Sequence, residues 1–165
     1  MKDFDRYIEV IEKETIWGFD TETRPAFRKG ITHKPALIQM SNSAYAFLFR
    51  LNRLGFPNRL VRVLNNPSIT KIGVALHDDL KELGLYKRIK PAGFIDLQKI
   101  VSDYGIESKG LTKLAAIILK FRISKSQRVT NWENQDLTDA QLKYAATDAW
   151  VCYEIYRELM KHKKN

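Results

Sequence analysis

The sequence predicts a mixed α/β sheet folded as one domain. Three observations predict it. Two apolar runs, Ala36–Met40 and Ala44–Phe49, are separated by Ser41-Asn42-Ser43, the pattern of a hairpin. Further apolar strands then alternate with amphipathic helical stretches. No repeat, low-complexity tract or Gly/Ser linker interrupts the 165 residues, about the length of one average domain.

Residues 4–13 place Phe4, Tyr7, Ile8 and Ile11 at spacings of three and four, the mark of a short amphipathic helix. Ile16–Thr21 (IWGFDT) reads as a strand, and the two hairpin strands follow it. Leu60–Leu64 is helical and stops at Asn65-Asn66-Pro67, because proline restricts the residue before it and cannot continue the turn. Thr70–Ala75 (TKIGVA) is a buried strand, and Asp79–Leu85 a short helix ended near Gly84. Phe94–Asp96 is a short strand running into a helix through Tyr104, and Leu111–Leu119 is a further helix. Thr138 and Gln141 form a capping box for the last helix, with Leu137 as the staple residue before it. Its apolar face runs through Leu142, Ala145, Ala149, Cys152, Ile155, Tyr156 and Leu159, from about Asp139 to Lys161, and leaves a frayed basic tail at Lys161–Asn165.

Apolar residues at 44% supply a core, and at this length a domain buries enough surface to need no staples. The single cysteine, Cys152, excludes an intramolecular disulfide and a multi-cysteine zinc site, and reads as a small apolar residue on the last helix. His33, His77 and His162 share no metal-ligand spacing. The longest uninterrupted apolar runs, Ala44–Phe49 and Leu114–Leu119, fall far short of the ~20 residues that span a bilayer. The N-terminus MKDFDRYIEVIEKE is rich in acids and lacks the apolar region of a secretion signal. The expectation is a soluble, cytoplasmic monomer with no membrane contact. A net charge of +9 favours a polyanionic partner, nucleic acid first.

The carboxylates stand out against this background. Asp20 and Glu22 sit at the end of an apolar strand, and residues two apart on a strand share a face. They are either solvated loop acids or ligands for a hard divalent cation, which takes carboxylate oxygen. Asp78-Asp79 begins a helix after a buried strand, where an acid serves as cap or dipole partner. Asp148 lies inside the last helix among Ala145, Ala146 and Ala149, a poor position for aspartate. Tyr144 is four residues earlier on the same helix face, so the two are either a simple hydrogen-bonded pair or parts of one site. Acids at two strand ends and on one helix suit two-metal phosphoryl transfer, in which ions about 4 Å apart activate water and stabilise the leaving oxygen.

These residues carry a resemblance. Phe19-Asp20-Thr21-Glu22-Thr23, the segment Gly73–Leu83, and Tyr144-Ala145-Ala146-Thr147-Asp148-Ala149 resemble, in order, the three motifs of the DEDDy 3′–5′ exonucleases. Within that family the chain is most similar to ribonuclease D and the Werner-syndrome exonuclease domain. Ala36-Leu37-Ile38-Gln39-Met40 resembles the family's second strand, and Leu111-Thr112-Lys113-Leu114 the helix that precedes the third motif. Lys125–Trp132 and Leu137–Tyr156 resemble the Werner-type domain, and the likeness covers residues 15–160.

The resemblance implies a ribonuclease H-like fold, a five-stranded mixed sheet flanked by helices. It implies a metal-dependent exonuclease that hydrolyses phosphodiester bonds from the 3′ end of DNA or RNA and releases nucleoside 5′-monophosphates. Asp20, Glu22, Asp79 and Asp148 are implied to hold two divalent cations, Mg²⁺ or Mn²⁺, and Tyr144 to orient the attacking water. In the second motif Asp79 aligns in preference to Asp78, because Leu80 follows it; Asp96 is a supporting residue. Arg24, Arg28, Lys29 and Lys34 after the first motif, and Lys120, Arg122, Lys125 and Arg128 before the third, suit phosphate contacts. Of these Arg24, Lys125 and Arg128 are the chosen substrate contacts, with Trp132 as a base-stacking residue. A wedge against the terminal base is sought among Leu37, Ile38, Met40, Leu76 and Leu80. The helicase region and accessory RNA-binding helices of larger relatives lie outside these residues, so processivity is not expected from them in cis. The rival expectations are a catalytically silent nucleic-acid-binding module and a ribonuclease H-like endonuclease or resolvase; the full set of acids argues against the first, the Tyr144–Asp148 pair against the second.

Overall fold

The computed structural model describes residues 2–162. Helix α1 (Lys2–Lys13) precedes strands β1 (Ile16–Thr23), β2 (Pro35–Ser41) and β3 (Ala46–Arg50). Helices α2 (Leu51–Leu54) and α3 (Asn58–Asn65) lead to β4 (Thr70–Gly73), α4 (Leu76–Tyr86), β5 (Phe94–Asp96) and α5 (Leu97–Ile100). A 3-10 turn, Val101–Tyr104, continues α5. Helix α6 (Leu111–Leu114) passes into a π-helical segment, Ala115–Leu119, and α7 (Asp139–Lys161) is the last element. The strands form one five-stranded sheet in the order β3-β2-β1-β4-β5. The hairpin side is antiparallel; β1–β4 and β4–β5 are parallel. The sheet is mixed, as expected.

β1 is the middle strand, and its alternation divides its side chains between two environments. Trp17 and Phe19 enter a core with Ile8 and Ile11 of α1, Leu60 and Leu64 of α3 and Leu83 of α4. Gly18, Asp20 and Glu22 point the other way, toward α7. A second core holds Ile72 of β4, Leu97, Leu114, and Val151, Cys152 and Ile155 of α7. Helix α7 lies directly on the β1 backbone: a Cβ at Gly18 would stand 1.8 Å from the Ala149 carbonyl oxygen. Glycine on the strand and alanines on the helix permit that approach, and it delivers the helix's acid to the strand's acids.

β4 buries Lys71 completely. Its ammonium donates to the carbonyls of Val63 (3.2 Å) and Asn66 (2.8 Å) at the C-terminal end of α3 and lies 4.8 Å above the Phe94 ring. Unpaired carbonyls and the negative end of the helix are suitable partners for it. Burial pushes this ammonium down to about 8.

Several expectations are corrected. The helix expected over Asp79–Leu85 spans Leu76–Tyr86, so Gly84 does not end it; that glycine is exposed, with open space around its Cα. The preceding strand stops at Gly73, and Ala75, with φ 56° in the left-handed region, is the N-cap. Asp78 is therefore not the cap but an exposed residue within the first turn. Leu142 is 37% exposed, and the buried position beside it belongs to Gln141. The Gln141 side chain completes the capping box with Thr138 and donates to Thr130 Oγ1 at 3.0 Å. Leu137 packs against the cluster of Ala36, Leu37, Trp132 and Ala145. Leu111–Leu119 is helical but changes from α to π at Ala115. The short helix α2 was not expected. The basic tail beyond residue 162 lies outside the described residues.

Candidate active site

Asp20 and Glu22 project from β1 beneath α7, and Asp148 projects from α7 between Ala145 and Ala149. One carboxylate oxygen from each of Asp20, Glu22 and Asp148 lies within 4.8 Å of the other two. Glu22 and Asp148 each retain 8% exposure, and Asp20 is partly buried. The Thr21 backbone N–H donates to Asp20 Oδ1 at 2.9 Å and fixes that carboxylate.

Three buried acids this close raise one another's affinity for a proton. Burial, then the charges of Asp79 and Asp148, hold the Asp20 carboxyl well above the usual carboxylate range. Burial and the neighbouring acids push Glu22 up to about 9, while the Arg128 guanidinium pulls it down. Burial pushes Asp148 up to about 6 against the Tyr144 hydroxyl, which lowers it. An oxygen-only donor set, largely shielded from water and short of positive charge, fits a hard divalent cation.

Asp79 is placed differently. It is not in the close trio; its carboxylate accepts a hydrogen bond from Thr21 Oγ1, on the other side chain row of β1. Burial pushes it up to about 6, with the Thr21 bond opposing. Its charge still reaches Asp20 and Glu22. Asp78 is exposed and is not one of the close trio. Asp96 is a structural acid: its carboxylate accepts from the backbone N–H of Ala75 (3.1 Å) and Leu76 (3.2 Å) at the start of α4, and of Gln98 (2.9 Å) in α5. It thereby ties two helix starts to the end of β5.

Tyr144 and Asp148 line a groove of about 390 Å³ together with Arg122 and Lys143. Burial, then the charges of Asp148 and Glu22, hold the Tyr144 hydroxyl well above its ordinary value, so it stays protonated and acts as a donor. Lys143 escaped sequence reasoning; only its adjacency to Tyr144 hinted at it. Arg128 is exposed, and its charge acts on Glu22. Arg24 is ion-paired with Glu133 at 3.2 Å on the surface. Lys125 lines a separate cleft of about 530 Å³ with Lys109 and Lys113. Trp132 does not offer a stacking face: it is 0% exposed, and its ring packs against Tyr144 and the Leu37–Ala145 cluster. Leu37, Ile38 and Met40 are also 0% exposed and Leu76 4%, so of the wedge candidates only Leu80 is partly open. Gln39, also missed, stands opposite Asp20 in register, and neither atom of its buried amide has a hydrogen-bond partner.

A family model described as 3′–5′ exonuclease matches residues 1–163. Among curated proteins, the chain is 31% identical to ribonuclease D of Haemophilus influenzae over 92% of its own length and 38% of the relative's. It is 33% identical to the bifunctional 3′–5′ exonuclease/ATP-dependent helicase WRN of Mus musculus, over 87% of the chain and 11% of the relative. The chain thus spans well under two thirds of these relatives. Among solved structures, Escherichia coli RNase D superposes with a TM-score of 0.81 at 26% identity, over 94% of this chain and 41% of that one. The Nibbler EXO domain of Aedes aegypti superposes with a TM-score of 0.87 at 19% identity, over 97% and 84%. The sheet order and flanking helices are those of the ribonuclease H-like fold shared by these neighbours. A matched family model over nearly the whole chain, carried on that fold, establishes that this chain belongs to the 3′–5′ exonuclease family of hydrolases.

Proposed function

We propose that the chain removes nucleotides from the 3′ end of nucleic acid by metal-dependent hydrolysis, releasing nucleoside 5′-monophosphates. The observation that carries this reading is the trio Asp20, Glu22 and Asp148, whose carboxylate oxygens lie within 4.8 Å of one another. These residues would hold divalent cations, with Asp79 as a fourth acid, and two such ions supply water activation and charge neutralisation at the phosphate. In the hydrolysis a water oxygen bonds to the terminal phosphorus. The bond from phosphorus to the preceding 3′ oxygen breaks, and that oxygen leaves as a hydroxyl after taking a proton.

The chain's own residues do the rest. Tyr144, kept protonated by burial and by its acidic neighbours, donates a hydrogen bond that orients water against the phosphate. Arg128 beside Glu22, and Arg122 and Lys143 along the groove, offset the charge of phosphates brought against the acids. Such contacts are indifferent to base identity.

Incubating 5′-labelled single-stranded DNA and RNA with Mg²⁺ or Mn²⁺ tests the reading. A ladder shortening from the 3′ end, abolished by chelator and by Asp20→Asn, is expected. Tight binding with intact substrate would instead support a silent binding module.

A further inference from the structure

Beyond Glu22 the chain leaves β1 through Arg24 and turns outward over residues 25–34. On this turn Phe27 is 84% exposed, the highest value for a large apolar side chain among the described residues. A single exposed apolar residue needs no explanation, but this one is not single. Ile31 (45% exposed) and Val129 (64%) share with it a cleft of about 370 Å³, which Arg24 and Arg28 also line. Two segments far apart in sequence thus place an uncovered aromatic face among guanidinium groups.

The cleft adjoins the acids. Arg24 is two residues, roughly 7 Å of strand, from Glu22. Val129 follows Arg128, whose charge acts on Glu22. A strand with its 3′ end at the acids has its preceding nucleotides within reach of this cleft. The occupant must satisfy both surfaces: an apolar planar face and positive charge. A protein segment of ordinary composition lacks the regular negative charge; a duplex keeps its base faces stacked inside. A single-stranded nucleic acid offers both phosphates and open base faces.

We propose that Phe27 is a stacking platform for a base of the single strand that feeds its 3′ end to the acid cluster, with Arg28 on an adjoining phosphate. The proposal rests on the exonuclease reading above and names its substrate as unpaired single strand. Aromatic stacking accepts any base, so Phe27 confers preference for unpaired strand without sequence preference. Its contribution does not depend on salt, whereas that of Arg28 does.

The test compares the full chain with Phe27→Ala, Phe27→Trp and Phe27→Leu. Binding of 5′-labelled decathymidylate is measured by anisotropy in chelator, at low and raised salt. Turnover is measured on the same strand and on the p-nitrophenyl ester of thymidine 5′-monophosphate, which has no upstream base. Phe27→Ala is expected to weaken binding five- to a hundred-fold and to raise KM by a like factor. It should leave the ester's turnover and the melting temperature unchanged. Trp should restore binding and Leu should not; the loss should persist at raised salt, while the effect of Arg28→Ala shrinks. Unchanged binding by Phe27→Ala, or rescue by Leu, overturns the platform. An equal loss on both substrates also overturns it, because Phe27 would then be acting on the acid site itself. If the unaltered chain turns over neither substrate, the exonuclease reading fails, and the anisotropy comparison still decides the platform.

Discussion

Thr21 Oγ1 donates a hydrogen bond to the Asp79 carboxylate, joining the middle of β1 to the first turn of α4 across 58 positions of sequence. Thr23 repeats the connection one step on, with Oγ1 donating to Glu82 at 3.4 Å. Thr21 lies between Asp20 and Glu22, so one strand presents two acids to α7 and restrains a third acid from α4. Thr21→Val keeps the shape and removes the donor. Because that bond lowers the Asp79 pKa, its loss should move the rise of activity with pH to higher pH and cost about 2 kcal/mol of stability. An unchanged pH profile in Thr21→Val would show that Asp79 does not serve the reaction.

Asp79 and Asp78 can be separated directly. Asp79→Asn should lose most turnover even at saturating Mn²⁺. Asp78→Asn should keep it and cost only about 0.5 kcal/mol, the value of an acid near a helix start, since Ala75 and not Asp78 is the N-cap. Steady-state turnover and chemical denaturation of both variants check this; the reverse order of activity would move the second-motif acid by one residue.

The acids also make stability depend on pH and metal. Glu22, Asp79 and Asp148 are raised above the usual carboxylate range, so between about pH 4 and their folded values the folded chain holds protons that the unfolded chain has released. Their contribution is complete at the acid end of that range and is lost as pH rises through about 6 for Asp79 and Asp148 and about 9 for Glu22. In chelator the melting temperature should fall from pH 5 to pH 7.5. Added Mg²⁺ or Mn²⁺ should raise it more at pH 7.5, where fewer protons compete for the carboxylates. Asp20→Asn should raise the melting temperature in chelator and blunt the response to metal. Melts indifferent to both pH and metal would sink the electrostatic account of the trio.

The contact between β1 and α7 gives a prediction from backbone alone. Gly18→Ala puts a methyl 1.8 Å from the Ala149 carbonyl oxygen, so helix and strand must separate. A cost of about 3 kcal/mol or more is expected, with loss of activity because Asp148 moves with the helix. Gly84→Ala is the control: its surroundings are open and it sits inside α4, so it should gain about 0.5–1 kcal/mol. Thermal melts of the two variants should move in opposite directions.

Asp96→Ala removes the acceptor for three backbone N–H groups and should cost about 2 kcal/mol. That loss should be the same with and without a divalent ion, whereas removing a metal ligand would raise the melting temperature in chelator and blunt the response to metal. Melting with and without Mg²⁺ distinguishes the two roles.

The sequence by itself determined the features whose causes are local. The capping box at Thr138 and Gln141 is a contact between residues three apart, and α7 begins where it says. The strand character of Ile16–Thr21 and the hairpin follow from apolar runs and the turn between them. The three motifs were legible as residue types in order. What the sequence misjudged depends on partners distant along the chain. Gly84 reads as a breaker, but α4 continues through it because packing of Leu76 and Leu83 into the core holds the helix. Gln141 reads as polar and Leu142 as core; Thr130, brought from eleven residues away, satisfies the glutamine amide and lets it be buried. Trp132 and Phe27 are both aromatics near basic residues, and composition alone favours neither. Only the docking of Trp132 against Leu37 and Ala145 covers the first, while nothing in the described chain covers the second. The distance between acids is likewise a tertiary quantity, set by how closely Gly18 lets α7 approach β1.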